Sequence, residues 1–413
     1  MRSQYRPCVL LLVPLTVVPF LLYYTSARLT LRDMLSWRKL ARRNASSFSS
    51  LLELDDADSD YSDEGLEGIT GTADSPMEQP KAGKTRPLQK FGPYAKYIPK
   101  ESVALEKFLA DQAAVQSIPT EAPGWVYNKT AADLFRNRIV SDSRYVNGNF
   151  LVTQGNVVKK VLKTYGKKPK IVKVPSDVLR GFPKESPFKN KRFNTCSVVG
   201  NGGILTGSGC GKEIDASEFV FRFNMAPMYE EYLEDIGQKT NLITINPSMI
   251  RYRYNYGGTR KVTVKTINVR ALMSDLSVYG DSYLWIWAFE TATNADHAFK
   301  AQQALQGNSA RNQVILPYPR VTGSMKSFWK NNGIRAQKAS SGLLFVGLAT
   351  QICEEVHLYG FWPFHSDRNN RRLTEHYYDN AFATKFHRIS DEFRQLQHLH
   401  NTGVLRLTTH ECQ

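Results

Sequence analysis

The sequence predicts an α/β fold, a mostly parallel central sheet flanked by helices, preceded by an N-terminal transmembrane helix and a disordered stem. Three observations carry this expectation. Short runs of β-branched and aromatic residues recur through the second half of the chain, most of them ending on Gly, Asn or Pro. Segments of helical character separate several of them. The first run breaks into a glycine loop, and such loops at strand ends offer backbone N–H groups to phosphates.

Residues 7–27 carry no charge, and 8–24 are almost wholly apolar. That is about the ~20 residues a spanning helix needs. Arg2 and Arg6 precede the stretch, and Arg28, Arg32, Arg38 and Lys39 follow it, so flanking charge gives no orientation. It is long for the core of a cleaved signal peptide and ends on no small-x-small site, which favours an uncleaved anchor. Residues 44–80 hold many acids and no Lys or Arg, the composition of a disordered segment. The expected organisation is therefore a tail at 1–6, an anchor at 7–27, a stem at 28–95 and a folded domain at 96–413. Asn44-Ala45-Ser46 and Asn128-Lys129-Thr130 are glycosylation sequons, usable only in a secretory lumen.

In the folded domain, residues 104–115 and 131–139 read as helices, and the basic run 159–173 as a solvated face. Ser197-Val198-Val199 is a buried strand that breaks at Gly200-Asn201-Gly202-Gly203. Strands follow at 219–223, ending on Asn224, at 242–245, at 283–287 and at 314–316. Residues 341–352 are apolar on nearly all sides, as in a buried helix. A strand at 356–359 ends on Gly360. A helix from Ser390 to His400 has acids in its first turn and Gly403 beyond its end. A strand at 405–407 closes the domain.

The glycine loop matches neither of two common nucleotide motifs. Leu205 stands where GxGxxG needs its third glycine, and Thr206 and Glu213 break a P-loop reading. Composition narrows the partners. The formal charge is +16, from 54 Lys and Arg against 38 Asp and Glu, which suits anionic substrates, an anionic membrane or nucleic acid. No nucleic-acid fold signature appears, so no nucleic-acid partner is expected. Of five cysteines, Cys8 lies in the apolar stretch, and Cys196, Cys210, Cys353 and Cys412 suit either two disulfides or four buried thiols. There is no CxxC pair, and no Asp/His cluster in the second half has a metal-ligand spacing. Asp58-Ser59-Asp60 falls in the acidic run, where composition alone yields such triplets, so no metal is expected.

CSVVGNGGIL, SGCGKEIDASEFVFR and the following Asn224 together resemble the large sialylmotif of animal sialyltransferases, closest to the α2,8-sialyltransferase branch. SSGLLFVGLATQICEEVHLYGFWPF resembles the small sialylmotif, and His376-Tyr377-Tyr378-Asp379 the third. His387 followed by Glu392 resembles the family's His-x-x-x-x-Glu motif, and the likeness spans about 192–412. It implies a Rossmann-like GT-A-type sialyltransferase fold and a single-pass type II Golgi membrane protein with its catalytic domain in the lumen. The implied donor is CMP-sialic acid, without a cofactor, and the implied acceptor is a sialylated glycolipid or glycoprotein glycan. The resemblance also admits a homo-oligomer.

By the same resemblance His387 is the general base, and His376 stabilises the departing phosphate. Histidine titrates near neutral pH and suits the role of base, and preorganised donors can stabilise the leaving group without metal. Asn201 and Asn224 would hold the nucleotide. Ser340, Ser341 and Gly342 would hold a carboxylate at a helix N-terminus. The implied disulfides are Cys196–Cys353 and Cys210–Cys412. Three positions depart from the family pattern: Ser341 for Thr, Phe223 for Cys and Trp287 for Pro.

In residues 307–338, where polysialylating relatives carry a dense basic segment, Arg311, Arg320, Lys326, Lys330, Arg335 and Lys338 are widely spaced. This points to addition of one or a few residues. The rival readings are transfer to galactose termini and a catalytically silent sialoglycan-binding protein.

Overall fold

The computed structural model describes residues 115, 124–142, 150–256, 266–334, 339–364, 366–379 and 390–412. The chain divides into two units, Met1–Lys90 and Phe91–Gln413, and the described residues all lie in the second. The expected anchor at 7–27, the stem at 28–95, Asn44, most of the 104–115 helix and His387 lie outside the described residues. Among the described residues, no helix is long and apolar enough to cross a membrane.

The strands are β1 (Val161–Lys163), β2 (Ile171–Lys173), β3 (Phe193–Val199), β4 (Phe219–Arg222), β5 (Leu242–Ile245), β6 (Tyr283–Ile286), β7 (Val314–Ile315), β8 (Cys353–Tyr359) and β9 (Arg406–Leu407). Seven of them form one sheet in the order β7-β6-β5-β4-β3-β8-β9. Every neighbouring pair in it is parallel, so the sheet is wholly rather than mostly parallel. All four residues of β4 and of β5 are buried. A parallel strand covered on both faces has no solvent-facing side, hence the largely apolar FVFR and LITI runs, whose Arg222 and Thr244 are buried too.

The helices are α1 (Lys129–Asp142), α2 (Ser176–Gly181), α3 (Gly211–Ala216), α4 (Leu233–Ile236), α5 (Pro247–Tyr252), α6 (Val269–Leu276), α7 (Ala292–Gly307), α8 (Pro319–Asn331), α9 (Ser341–Ile352) and α10 (Ser390–Asn401). Helix α9 runs straight into β8 and packs on the sheet. Its Phe345 meets Phe223, Trp285 and Trp287 at ring-centroid distances of 5.3, 4.9 and 5.6 Å. Phe223 thus fills core space beside α9. Helix α1 docks on the α9–β8 junction through buried Arg136, which donates to the carbonyls of Thr350, Cys353 and Glu354.

Several features differ from the sequence reading, the short helices α2 to α6 among them. The basic run folds into an antiparallel hairpin, β1 with β2, whose three-residue strands are too short for alternation to stand out. Its lysines are exposed, as a solvated face requires. Helix α7 was not anticipated, because its ATNADHAFKAQQALQG carries small and polar residues with little apolar periodicity. Its start is fixed by Thr291, whose hydroxyl accepts from Asn294 N. Helix α8 begins at Pro319, the position where a missing N–H costs least. Both disulfides, Cys196–Cys353 and Cys210–Cys412, are formed in the pairing the resemblance implies.

From β3 the chain adds β4, β5, β6 and β7 toward one edge, then returns to place β8 on the other side of β3. The direction of winding therefore reverses between β3 and β8. In open α/β sheets, ligands bind in the crevice outside the carboxyl ends of the strands at such a point.

Candidate active site

The loops leaving β3 and β8 meet in that crevice. Gly200 N donates to Tyr359 O at 2.7 Å, and Gly202 N to Gly360 O at 3.2 Å. A Cβ on Gly202 would lie 2.7 Å from Gly360 O, closer than side chains tolerate, so glycine is required here. Asn201 sits between the two glycines. Its Nδ2 donates to Phe223 O at 3.2 Å, which ties the β3 loop to the end of β4.

Asn224, at the end of β4, has a φ of 55°. Asn is among the residues that enter this left-handed region most readily. Its N–H donates to Thr244 Oγ1 at 2.9 Å, and its Oδ1 accepts from Asn246 N at 3.3 Å. The ends of β3, β4 and β5 are thus linked through Asn201, Asn224 and Asn246.

His376 is drawn into the same crevice by the backbone. It forms an isolated antiparallel bridge with Gly202, and Tyr377 N donates to Asn201 O at 3.0 Å. The imidazole Nδ1 lies 2.6 Å from Asp379 Oδ2, and Asp379 Oδ1 accepts from His376 N at 3.2 Å. The Tyr378 ring stacks on the imidazole at 5.1 Å with an interplanar angle of 7°. Tyr377 OH donates to Pro227 O at 2.6 Å and anchors the segment to the chain after Asn224. An aspartate on Nδ1 fixes the ring and leaves Nε2 to act on a ligand.

Helix α9 precedes β8 and runs against the strand direction, so its N-terminus also lies at this edge. Ser340 is its N-cap, with its hydroxyl accepting from Leu343 N at 3.0 Å. Gly342 packs where a Cβ would come 2.7 Å from the Phe361 ring, just past β8. Among the described residues, the N–H groups of Ser341 and Gly342 have no acceptor and remain free for an anion. Buried Glu392, in the first turn of α10, accepts from Ser340 N at 2.8 Å. Burial raises the Glu392 pKa, and its Ser340 hydrogen bonds only partly oppose that.

The crevice therefore brings together Asn201, Asn224, His376, Ser340, Ser341 and Gly342, while His387 lies outside the described residues. Three further side chains belong to it. Asp379 and Tyr378 stand in the motif that carries His376, but pairing at three residues and ring stacking emerge only when that loop folds. Thr244 gave no signal in the sequence. Trp287 follows β6, half buried, and among the described residues its buried Nε1 has no hydrogen-bond partner. Among the described residues, no group of three or more His, Cys, Asp or Glu could hold a metal ion.

A wholly parallel sheet with these groups at its switch point is the architecture of a nucleotide-binding α/β enzyme. The chain belongs to glycosyltransferase family 29 (sialyltransferase), which matches residues 145–404. It is a CMP-sialic acid-dependent glycosyltransferase. It is 35% identical over 291 residues to "Alpha-2,8-sialyltransferase 8F" of Mus musculus, covering 70% of this chain and 71% of that one. It is 35% identical over 308 residues to "Alpha-N-acetylneuraminide alpha-2,8-sialyltransferase" of Bos taurus, covering 73% and 83%. A crystal structure of a mammalian sialyltransferase in complex with Gal-beta-1-3GalNAc-ortho-nitrophenol aligns at 18% identity and a TM-score of 0.40, over 71% of this chain and 92% of its own.

Proposed function

We propose that this chain transfers sialic acid from CMP-sialic acid onto a terminal sialic acid in α2,8 linkage, with inversion. The observation that carries the catalytic reading is the His376–Asp379 pair, bridged by backbone to the Asn201 loop. Held by Asp379 on Nδ1, His376 presents Nε2 to the departing CMP phosphate. Asn201 and Asn224 contact the nucleotide. Because the Ser340 hydroxyl already caps α9, the donor carboxylate falls chiefly to Ser341 and the free N–H groups of Ser341 and Gly342.

His387 is the general base that takes the proton from the attacking hydroxyl. It precedes Glu392 by five residues in sequence, and Glu392 is bonded to the α9 cap. The α2,8 linkage rests on the named relatives and on the wording of the large sialylmotif.

Short products are part of this reading. Two cations of the 307–338 segment are engaged with acids outside it: Arg311 with Asp281 and Lys326 with Glu290. That leaves a less continuous track for a polyanion. The enzyme would sit in the Golgi membrane through residues 7–27, with the catalytic domain in the lumen and no metal required. Asn128 is exposed, which suits a glycan there.

The test is CMP release from CMP-sialic acid with and without a sialylated acceptor. Release stimulated by acceptor is the expected result. A protein that binds sialoglycans but releases no CMP would be the silent binding protein instead.

A further inference from the structure

An α2,8 acceptor must bring its own carboxylate to the site, because its terminal residue is itself a sialic acid. The donor carboxylate already has the N-terminus of α9. A second anion left unpaired in the crevice would oppose binding strongly. The geometry points to Arg253 as the residue that receives the acceptor carboxylate, an inference that rests on the α2,8 reading.

Arg253 follows α5, the helix whose N-cap residue, Asn246, donates its N–H to Asn224 Oδ1. Its Nε donates to Asp275 Oδ2 at 2.9 Å, and buried Tyr254 donates its hydroxyl to the same oxygen at 2.8 Å. Tyr254 OH also meets Met225 Sδ at 3.7 Å, directly after Asn224. The guanidinium is thus mounted on a buried base and oriented through Nε. Its two Nη atoms donate no hydrogen bond among the described residues, and its side chain is 42% exposed. That open Nη edge matches the two oxygens of a carboxylate.

The edge belongs to the site. Arg253 lies within electrostatic reach of Tyr378, the ring stacked on His376, and of Tyr279, which donates to Ala226 O at 2.6 Å. Arg222 also lies near this stretch, but it is buried and bonded to Ile236 O, Lys239 O and Thr240 Oγ1. Arg253 sits on the β5 side of Asn224, whereas the α9 N-terminus lies on the β8 side. The two carboxylates thereby have separate holders across the crevice, and a neutral galactose terminus would gain nothing from Arg253.

The test is a chemical double-mutant cycle on Arg253→Gln, with α2,3-sialyllactose and its terminal carboxamide as acceptors. The wild-type protein should show a KM for the carboxamide about tenfold or more above that for the carboxylate. Arg253→Gln should raise the carboxylate KM by a similar factor and lose most of this discrimination, and Arg253→Lys should recover part of it. The KM for CMP-sialic acid should shift less than about twofold. Full discrimination retained by Arg253→Gln would overturn the inference while leaving α2,8 transfer intact. Wild-type transfer to lactose with none to sialyllactose would overturn both.

Discussion

The His376–Asp379 pair gives the most direct mutational handle on catalysis. Asp379→Asn keeps the size of the side chain and one oxygen for the His376 backbone N–H. It replaces the charge-assisted hydrogen bond at Nδ1 with a neutral one. A hydrogen bond to a charged group contributes about 1.5–3 kcal/mol, against about 0.5–1.5 for a neutral one. The two side chains are 37% and 29% exposed, so solvent screens part of that difference. About 1 kcal/mol remains, which predicts a fall in kcat of roughly fivefold. The assay is steady-state CMP release with a sialylated acceptor, alongside a thermal melt of the same preparation. Because Asp379 acts through His376 on the leaving group, KM for CMP-sialic acid should move less than about twofold. A kcat within twofold of wild type in a folded variant would refute the role given to the pair. So would a loss that appears wholly in KM.

Other expectations follow from particular contacts. His387→Ala should cost about 10²–10⁴-fold in transfer while CMP binding, read by calorimetry, persists; near-normal turnover would remove His387 from the mechanism. The Cys196–Cys353 disulfide spans a sequence separation of 157, for which chain entropy gives about 5 kcal/mol at most. The double serine variant should therefore lose roughly 2–5 kcal/mol in denaturant unfolding, and an unchanged midpoint would contradict this. Burial opposes ionisation of Glu354, but hydrogen bonds from Lys129, Arg192 and Tyr127 and the charge of Arg136 outweigh it and hold its pKa at about 2. A depressed carboxylate stabilises the fold fully above its unfolded value and loses that contribution as pH falls toward the folded one. The melting-temperature advantage over Glu354→Gln should thus be full above pH ~4.5 and shrink toward pH ~2; an advantage that grows on acidification would refute it. Transfer should survive EDTA, and strict Mn²⁺ dependence would redirect attention to Asp58-Ser59-Asp60.

Much of the sheet was legible because buried parallel strands announce themselves. FVFR and LITI are buried along their whole length and mostly apolar, with Arg222 and Thr244 hydrogen-bonded inside, and GNGG marks where β3 must end. Helix α9 was equally plain, because an all-round apolar helix between a Ser-Ser-Gly start and a cysteine leaves few readings. Helix α7 was hidden by its alanines and glutamines, and β1 and β2 by their three-residue length. In the site, His376 was legible through its motif, but what holds it was not. The bridge to Gly202 joins segments that only the fold brings together. The Glu392–Ser340 bond spans 52 residues, and Arg253 acquires its setting from Asp275, 22 residues further on. Such pairings depend on which loops share a sheet edge, and local residue patterns do not encode that.

The linkage of the product decides whether this enzyme carries out α2,8 transfer. The protein, CMP-sialic acid and α2,3-sialyllactose are incubated together, and the product is sized by mass spectrometry before and after digestion with a linkage-selective sialidase. An α2,8-transferase gives a gain of one or a few sialic acid residues, removed by an enzyme that cleaves α2,8 linkages and retained with one restricted to α2,3. Transfer confined to galactose-terminated acceptors, or polymers of tens of residues, would contradict this reading.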